Sequence, residues 1–296
     1  GSSALCGLAD RAPIFTGDKM TDIHDHNGHE HADEEDFGMA FIDSCDRLSL
    51  LLIHGFPLNS AMWSAQLDDL SSFARIIAPD LRGHGNSDAV PGPYTVTKLA
   101  DDCADLMGHL AVATPFVVAG LSMGGYIAFE FYRRYPEHVA GLILTATRAT
   151  ADSADARANR DAAIADVKAN GINGLVAGML SKLMAASTYE NDQELVEFVQ
   201  EIMMDTSVEG AAGALHAMKT RPDSTSMLAE IDVPVLIIHG ADDRIVPLAE
   251  AQAMQKAIKN AKLVVLEDAG HLPNLEQPDA FNDAVIDFLE EIEASM

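Results

Sequence analysis

An α/β fold, with a mostly parallel central sheet flanked by helices and a helical insertion, is what the 296-residue sequence predicts. Three observations predict it. From Leu48 onward, short apolar runs alternate with longer amphipathic stretches. The apolar runs are continuous, as expected of strands covered on both faces. Between about Arg148 and Pro222 the alternation stops, and it resumes at Val233-Pro234-Val235, so the two flanks belong to one sheet.

The elements follow in order. Residues 1–36 stand apart. They open on Gly-Ser-Ser, like a tag, and continue into a stretch where His24, His26, His29 and His31 alternate with acids. Four histidines so placed could hold a divalent metal, but a polar tail explains them as well, and they are set aside from the fold. Met39 to Asp43 reads as a first strand. Strands buried on both faces are expected at Leu48 to Ile53, Arg75 to Ala78, Phe116 to Ala119, Val139 to Thr145, Val235 to His239 and Leu263 to Leu266. Thr97 to Leu110, Met123 to Tyr135, Ala249 to Lys259 and Pro278 to Ile292 carry helical periodicity and are long enough for crossover helices. Residues 149–221 are rich in Ala, Met, Asp and Glu and contain no convincing strand. Gly171, Gly174, Gly178 and the stretch from Gly210 to Gly213 are expected to punctuate helices there. The resulting division is a tail over 1–36, a core over 37–148 and 222–296, and a helical cap over 149–221.

Composition narrows the function. With 46 Asp and Glu against 19 Lys and Arg, the net charge is −27, which excludes nucleic acid as a ready partner because phosphate binding needs clustered cations. Such a surface also repels anionic substrates at long range unless the site focuses a local positive charge. No apolar run is long enough to span a bilayer. Cys6, Cys45 and Cys103 are widely spaced, without a zinc or redox pair, and residues 1–30 hold no signal-peptide apolar region, so a cytoplasmic protein is expected.

The sharpest chemical signal is Val117-Val118-Ala119-Gly120-Leu121-Ser122-Met123-Gly124-Gly125, an apolar strand running through Gly-x-Ser-x-Gly into a helical pattern. A strand-to-helix turn this tight needs glycine on both sides of the serine and leaves the hydroxyl exposed at the end of the strand. The helix behind it favours a developing negative charge. A serine hydroxyl is a poor nucleophile and needs a base held in the right tautomer by a third group. Asp242 and Asp243 follow one strand, His271 follows the next, and spacing alone leaves the two aspartates undecided. His54, His84, His109, His138, His216 and His239 compete with His271. It is preferred because it lies on a loop between the last strand and the final helix. The amide of Met123 supplies one oxyanion donor by position, and the Phe56 amide, in the glycine turn after Ile53, is the candidate for the second. His54-Gly55 also reads as a tight turn held by imidazole hydrogen bonds.

Taken together, the chain from about Phe37 to its end resembles the α/β-hydrolase family. His54-Gly55-Phe56-Pro57 is similar to the family's oxyanion loop, and Asp80-Leu81-Arg82-Gly83-His84-Gly85-Asn86-Ser87 to its architectural Asp-x-Arg-Gly-x-Gly-x-Ser loop. Gly240-x-x-Asp243-x-x-x-Pro247 matches the family's acid motif with the second aspartate in register, so the resemblance selects Asp243. Gly270-His271 followed by Pro278 matches its histidine segment. The run ending at Trp63 and the Gly-Leu-Ser-Met-Gly-Gly elbow resemble small esterases and the 3-oxoadipate enol-lactonase-like branch.

The resemblance implies a Ser122, His271 and Asp243 triad, no metal and no cofactor. It also implies a cap in which Met179, Leu180, Leu183 and Met184 could line the pocket. A small ester or lactone is the expected partner, and the protein is expected to be a monomer or homodimer. Carboxylic ester hydrolysis is the expected reaction, with lactone or enol-lactone hydrolysis as the alternative if Arg148, Arg157, Arg160, Lys182 and Arg221 make a local anion site. Perhydrolysis, carbon–carbon bond hydrolysis and non-enzymatic ligand binding are more remote possibilities on the same fold. The short opening strand and Cys45-Asp46-Arg47 depart from the family's usual first hairpin.

Overall fold

A computed structural model describes residues 38–43 and 48–296 together with the backbone of residues 15–16. The His-rich run and Cys45-Asp46-Arg47 lie outside the described residues.

Because strands with continuous apolar sequence need both faces covered, they collect at the middle of one sheet. Its strands are β3 (Phe41–Asp43), β4 (Ser49–Ile53), β5 (Arg75–Pro79), β6 (Phe116–Leu121), β7 (Val139–Thr145), β8 (Val235–Gly240) and β9 (Ala261–Leu266). Their spatial order is β3-β5-β4-β6-β7-β8-β9, and every neighbouring pair is parallel except β3 with β5. Every residue of β4, β6 and β8 is buried. At the edge, β9 buries only Leu266, which corrects the expectation of burial on both faces: an edge strand has a neighbour on one side only.

The opening strand expected at 39–43 is two short pieces. β1 (Phe15–Thr16) pairs antiparallel with β2 (Gly38–Met39), while β3 turns to pair with β5. Two residues of the segment set aside from the fold therefore join a ladder with the core's first strand.

The crossover helices fall within a residue or a few of their expected limits. They are α2 (Val96–His109), α3 (Met123–Arg134), α9 (Leu248–Ala257) and α11 (Pro278–Ser295), joined by short α1 (Ser64–Leu70) and α10 (Pro273–Glu276). Between β7 and β8 come α4 (Ala154–Asn170), α5 (Asn173–Leu183), α6 (Ala186–Asn191), α7 (Gln193–Met204) and α8 (Val208–Thr220). Local sequence starts several of them: Thr95, Ser153, Asp192 and Ser207 each accept from an amide in the first turn of the helix they precede.

Glycine marks a helix boundary at Gly171, which follows α4 at φ +79°, but Gly174 and Gly178 lie inside α5, and Gly210 and Gly213 inside α8. The two in α8 serve close approach. A β-carbon at Gly210 would stand 2.1 Å from the Gly83 carbonyl oxygen, and one at Gly213 2.3 Å from the Tyr94 ring. Among the described residues, no helix is long and apolar enough to cross a membrane.

Candidate active site

The strand β6 ends at Leu121 and α3 begins at Met123, so Ser122 alone makes the turn, at φ 55° and ψ −109°. Holding a non-glycine residue there costs on the order of 1–3 kcal/mol, and the surroundings supply the constraint. A β-carbon at Gly120 would meet the Gly124 carbonyl oxygen at 2.1 Å, and one at Gly124 the Ile53 carbonyl oxygen at 2.1 Å. The Ser122 amide donates to the Thr145 carbonyl at 2.9 Å, and the Thr147 hydroxyl donates to the Ser122 carbonyl at 2.8 Å. Met123, as the first residue of α3, has no intrahelical acceptor for its amide.

The loop after β4 reaches the same place because Ile53 pairs in register with Gly120. A β-carbon on Gly55 would stand 3.5 Å from the Ser122 β-carbon, so the backbone leading into Phe56 lies against the elbow. His54 holds that loop. Its Nε2 accepts from the Leu81 amide and its Nδ1 donates to the Gly55 carbonyl, both at 2.9 Å. Burial pushes His54 down to about 4, against the opposing hydrogen bond to Gly55, so the ring is neutral near pH 7. His84 packs beside it, with ring centroids 5.1 Å apart, and burial above all takes it down to about 3. The Asp80 loop is structural: Asp80 accepts from the Ser60 and Asn86 amides, and Arg82 makes a buried two-point ion pair with Asp102 at 2.6 and 2.8 Å.

Beyond β8, Asp243 and Asp242 separate cleanly. Asp242 is exposed, whereas the Asp243 carboxylate is fully buried. Its Oδ1 accepts from the amides of Ile245 and Val246 at 2.8 and 2.9 Å, and its Oδ2 lies 2.8 Å from His271 Nδ1. Burial raises the Asp243 carboxyl, but His271 and the two amides outweigh that and hold it below the usual carboxylate range. His239 also approaches Oδ2, at 3.7 Å, but its Nε2 donates to the Val246 carbonyl at 2.9 Å and burial lowers its basicity. The shorter contact belongs to His271.

His271 and Ser122 follow the carboxyl ends of parallel strands β9 and β6, and Asp243 follows β8, so all three lie along one edge of the sheet. His109 is exposed, His138 is half-buried, and His216 Nδ1 bonds the Tyr94 carbonyl.

The insertion meets the loops at this edge. The His271 amide donates to the Leu183 carbonyl at 2.9 Å, Thr206 donates to the Pro57 carbonyl at 3.0 Å, and Ser207 bonds the Gly83 carbonyl. Leu183 and Met184 are fully buried beside the His271 loop, where a β-carbon on Gly270 would stand 2.5 Å from the Met184 carbonyl carbon. Leu180 joins the same apolar core, and Met179 packs against it half-buried. The basic residues of this region do not gather into one cluster: Arg160 and Arg221 both pair with Asp152, at 3.0 and 2.6 Å, Arg148 donates to the Ile245 carbonyl, and Arg157 and Lys182 are exposed.

Two residues at the site had no signal in the sequence reading. Thr147 is an ordinary residue just beyond β7, and only its bond to the Ser122 carbonyl marks it. Glu276, five positions after His271, accepts from the Gly270 and Leu272 amides through Oε1 and from the Ala185 amide and Thr188 hydroxyl through Oε2.

An αβ sheet carrying a serine at a strained strand-to-helix turn, with a histidine–aspartate pair along the same edge, defines a hydrolase scaffold, and residues 49–278 match the alpha/beta hydrolase fold family. The chain belongs to that family. Its sequence is 30% identical to 3-oxoadipate enol-lactonase 2 of Acinetobacter baylyi over 246 residues, covering 83% of this chain and 90% of the relative. Among solved structures, a malate-bound thermophilic esterase from Thermogutta terrifontis is similar at a TM-score of 0.86 and 40% identity, over 88% of this chain and 96% of that one. The enol-lactonase from Burkholderia xenovorans LB400 is similar at 0.80 and 28%, over 86% and 97%.

Proposed function

We propose that the chain hydrolyses carboxylic esters through an acyl-enzyme, with Ser122 as nucleophile, His271 as general base and Asp243 as its orienting acid. The observation that carries this reading is the 2.8 Å contact between His271 Nδ1 and Asp243 Oδ2. A carboxylate accepting at Nδ1 puts the imidazole proton there and leaves the Nε2 lone pair to take the serine proton. As Ser122 Oγ bonds to the ester carbonyl carbon, its proton passes to His271 Nε2. The carbonyl oxygen becomes an oxyanion, held by the Phe56 and Met123 amides. Collapse breaks the bond to the alcohol oxygen, which leaves with the proton from Nε2. Water then gives a proton to His271, its oxygen bonds to the acyl carbon, and the acid departs as Ser122 regains its proton.

Residues 149–221 act as a cap over residues 37–148 and 222–296. The bonds from Leu183, Thr206 and Ser207 to the His271, Pro57 and Gly83 backbone support that position. Leu183 and Met184 lie beside the His271 loop, and with Met179 and Leu180 of the same apolar core they are proposed as the apolar wall of the acyl pocket. Such a wall suits a neutral acyl group.

The similarity to enol-lactonases favours a second reading, ring-opening of a lactone by the same residues. Against a carboxylated lactone stands Asp152, which engages both Arg160 and Arg221 and offsets one of their two charges. Acid release in a pH-stat separates the readings, comparing wild type with Ser122→Ala on short and medium alkyl esters, simple lactones and a carboxylated enol-lactone. Turnover of neutral esters that disappears in the variant is expected. Turnover confined to the carboxylated lactone moves the assignment to the second reading, and ester turnover that survives in Ser122→Ala overturns both.

A further inference from the structure

Glu276 ends α10, and nothing in the acyl-transfer scheme uses it. Its half-buried side chain nevertheless takes four donors from two parts of the chain. Oε1 accepts from the amides on either side of His271, Gly270 at 2.8 Å and Leu272 at 3.3 Å. Oε2 accepts from the segment after α5, the Ala185 amide at 2.7 Å and the Thr188 hydroxyl at 2.9 Å. The intervening His271 amide donates to the Leu183 carbonyl at 2.9 Å, so bonds run in both directions across one narrow seam. The seam is closed sterically as well, since a β-carbon on Gly270 would stand 2.4 Å from the Ala185 nitrogen.

We propose that Glu276 is a positioning residue: its carboxylate clasps the His271 loop to the insertion, so that the base is aligned only while the insertion is seated. The inference rests on His271 being the general base. Two physical points give it force. Asp243 fixes the imidazole at Nδ1 but leaves the backbone that carries the ring to be held by something else, and Glu276 and Leu183 hold it. Burial outweighs the four donors and raises the Glu276 carboxyl, so each donor lost favours the neutral acid further. A donor lost on the insertion side weakens the same carboxylate that holds the histidine side. A glutamate that merely braced a loop would affect unfolding and leave turnover alone.

The test is kcat and KM on p-nitrophenyl butyrate for wild type, His271→Ala, Glu276→Gln and Thr188→Val, with thermal unfolding of each. Glutamine keeps the shape of the side chain but turns one acceptor into a donor facing another donor. Glu276→Gln is expected to lower kcat by about 10- to 100-fold, the scale of loss from a small misplacement of a reacting group. Thr188→Val removes one hydrogen bond on the insertion side and is expected to lower kcat about fivefold with KM within threefold. Wild-type kcat in either variant, once folded, overturns the proposal, as does a Thr188→Val change confined to KM. If Glu276→Gln does not fold, Thr188→Val decides alone by the same criteria. Wild-type activity in His271→Ala would instead overturn the assignment of the base, and the clasp with it.

Discussion

The two ends of the site are held by different physics. At the elbow, position is enforced by exclusion: Ser122 sits at φ 55°, and carbonyl oxygens stand where β-carbons on Gly120 and Gly124 would have to go. At the histidine end, position is enforced by attraction. The Ile245 and Val246 amides donate to Asp243, the His271 amide donates to the Leu183 carbonyl of the insertion, and Glu276 accepts from the amides flanking His271 and from Ala185 in the insertion. Exclusion at the elbow sets backbone against backbone and tolerates no β-carbon. Attraction acts over long sequence separations and can be weakened by degrees.

The largest effect that would sharpen this contrast is at the acid. Asp243→Asn is expected to lower kcat about 10,000-fold, because an amide can no longer fix the imidazole tautomer, while exposed Asp242→Asn stays within threefold of wild type. Equal losses in steady-state ester hydrolysis would break the assignment. Next is Gly124→Ala, expected to destabilise the fold by about 3 kcal/mol or more in denaturant titration, since backbone rather than a flexible side chain must give way. An elbow that accepts alanine at no cost would remove exclusion from the comparison.

Acid sensitivity is smaller. His54 and His84 have folded-state values of about 4 and 3, below the 6.5 of a free histidine. The unfolded chain therefore binds more protons, and their contribution is complete above pH 6.5 and lost as pH falls toward 4 and below. Replacing His84 by Gln should flatten stability against pH by about 1 kcal/mol per pH unit within that window, read from denaturation midpoints at a series of pH values. An unchanged slope would mean that other groups govern acid unfolding. The smallest effect on stability is that of Ser122→Gly, expected to raise it by about 1 kcal/mol by relieving the backbone strain while abolishing turnover. A loss of stability would mean that the Ser122 conformation carries no strain.

The same contrast explains what could be read from the sequence. The elbow is local: a strand, two glycines around a serine and a helix are contiguous, so its geometry follows from adjacent letters. The parallel core was legible for the same reason, since uninterrupted apolar runs such as Val235–Gly240 mark strands covered on both faces. Asp243 is intermediate. Position alone did not separate it from Asp242, and the deciding contacts are a bond to a residue 28 positions away and two turn amides. Glu276 was illegible because two of its four donors come from Ala185 and Thr188, 91 and 88 positions earlier. The glycines of α8 misled because their purpose lies across the fold, at Gly83 and Tyr94, rather than within their own helix.

The paired ends of the insertion carry a further consequence. Where the chain leaves the core after β7 and where it returns before β8, the two segments lie side by side: Ser224 donates to the Ala149 carbonyl at 2.8 Å, Arg221 to the Thr150 carbonyl, and Arg221 meets Asp152 at 2.6 Å. A module whose two termini are fastened to each other enters and leaves the sheet at one junction of the chain. Residues between those paired ends can therefore change in number without altering the spacing of β7 and β8, provided that the contacts to the His271, Pro57 and Gly83 backbone are kept.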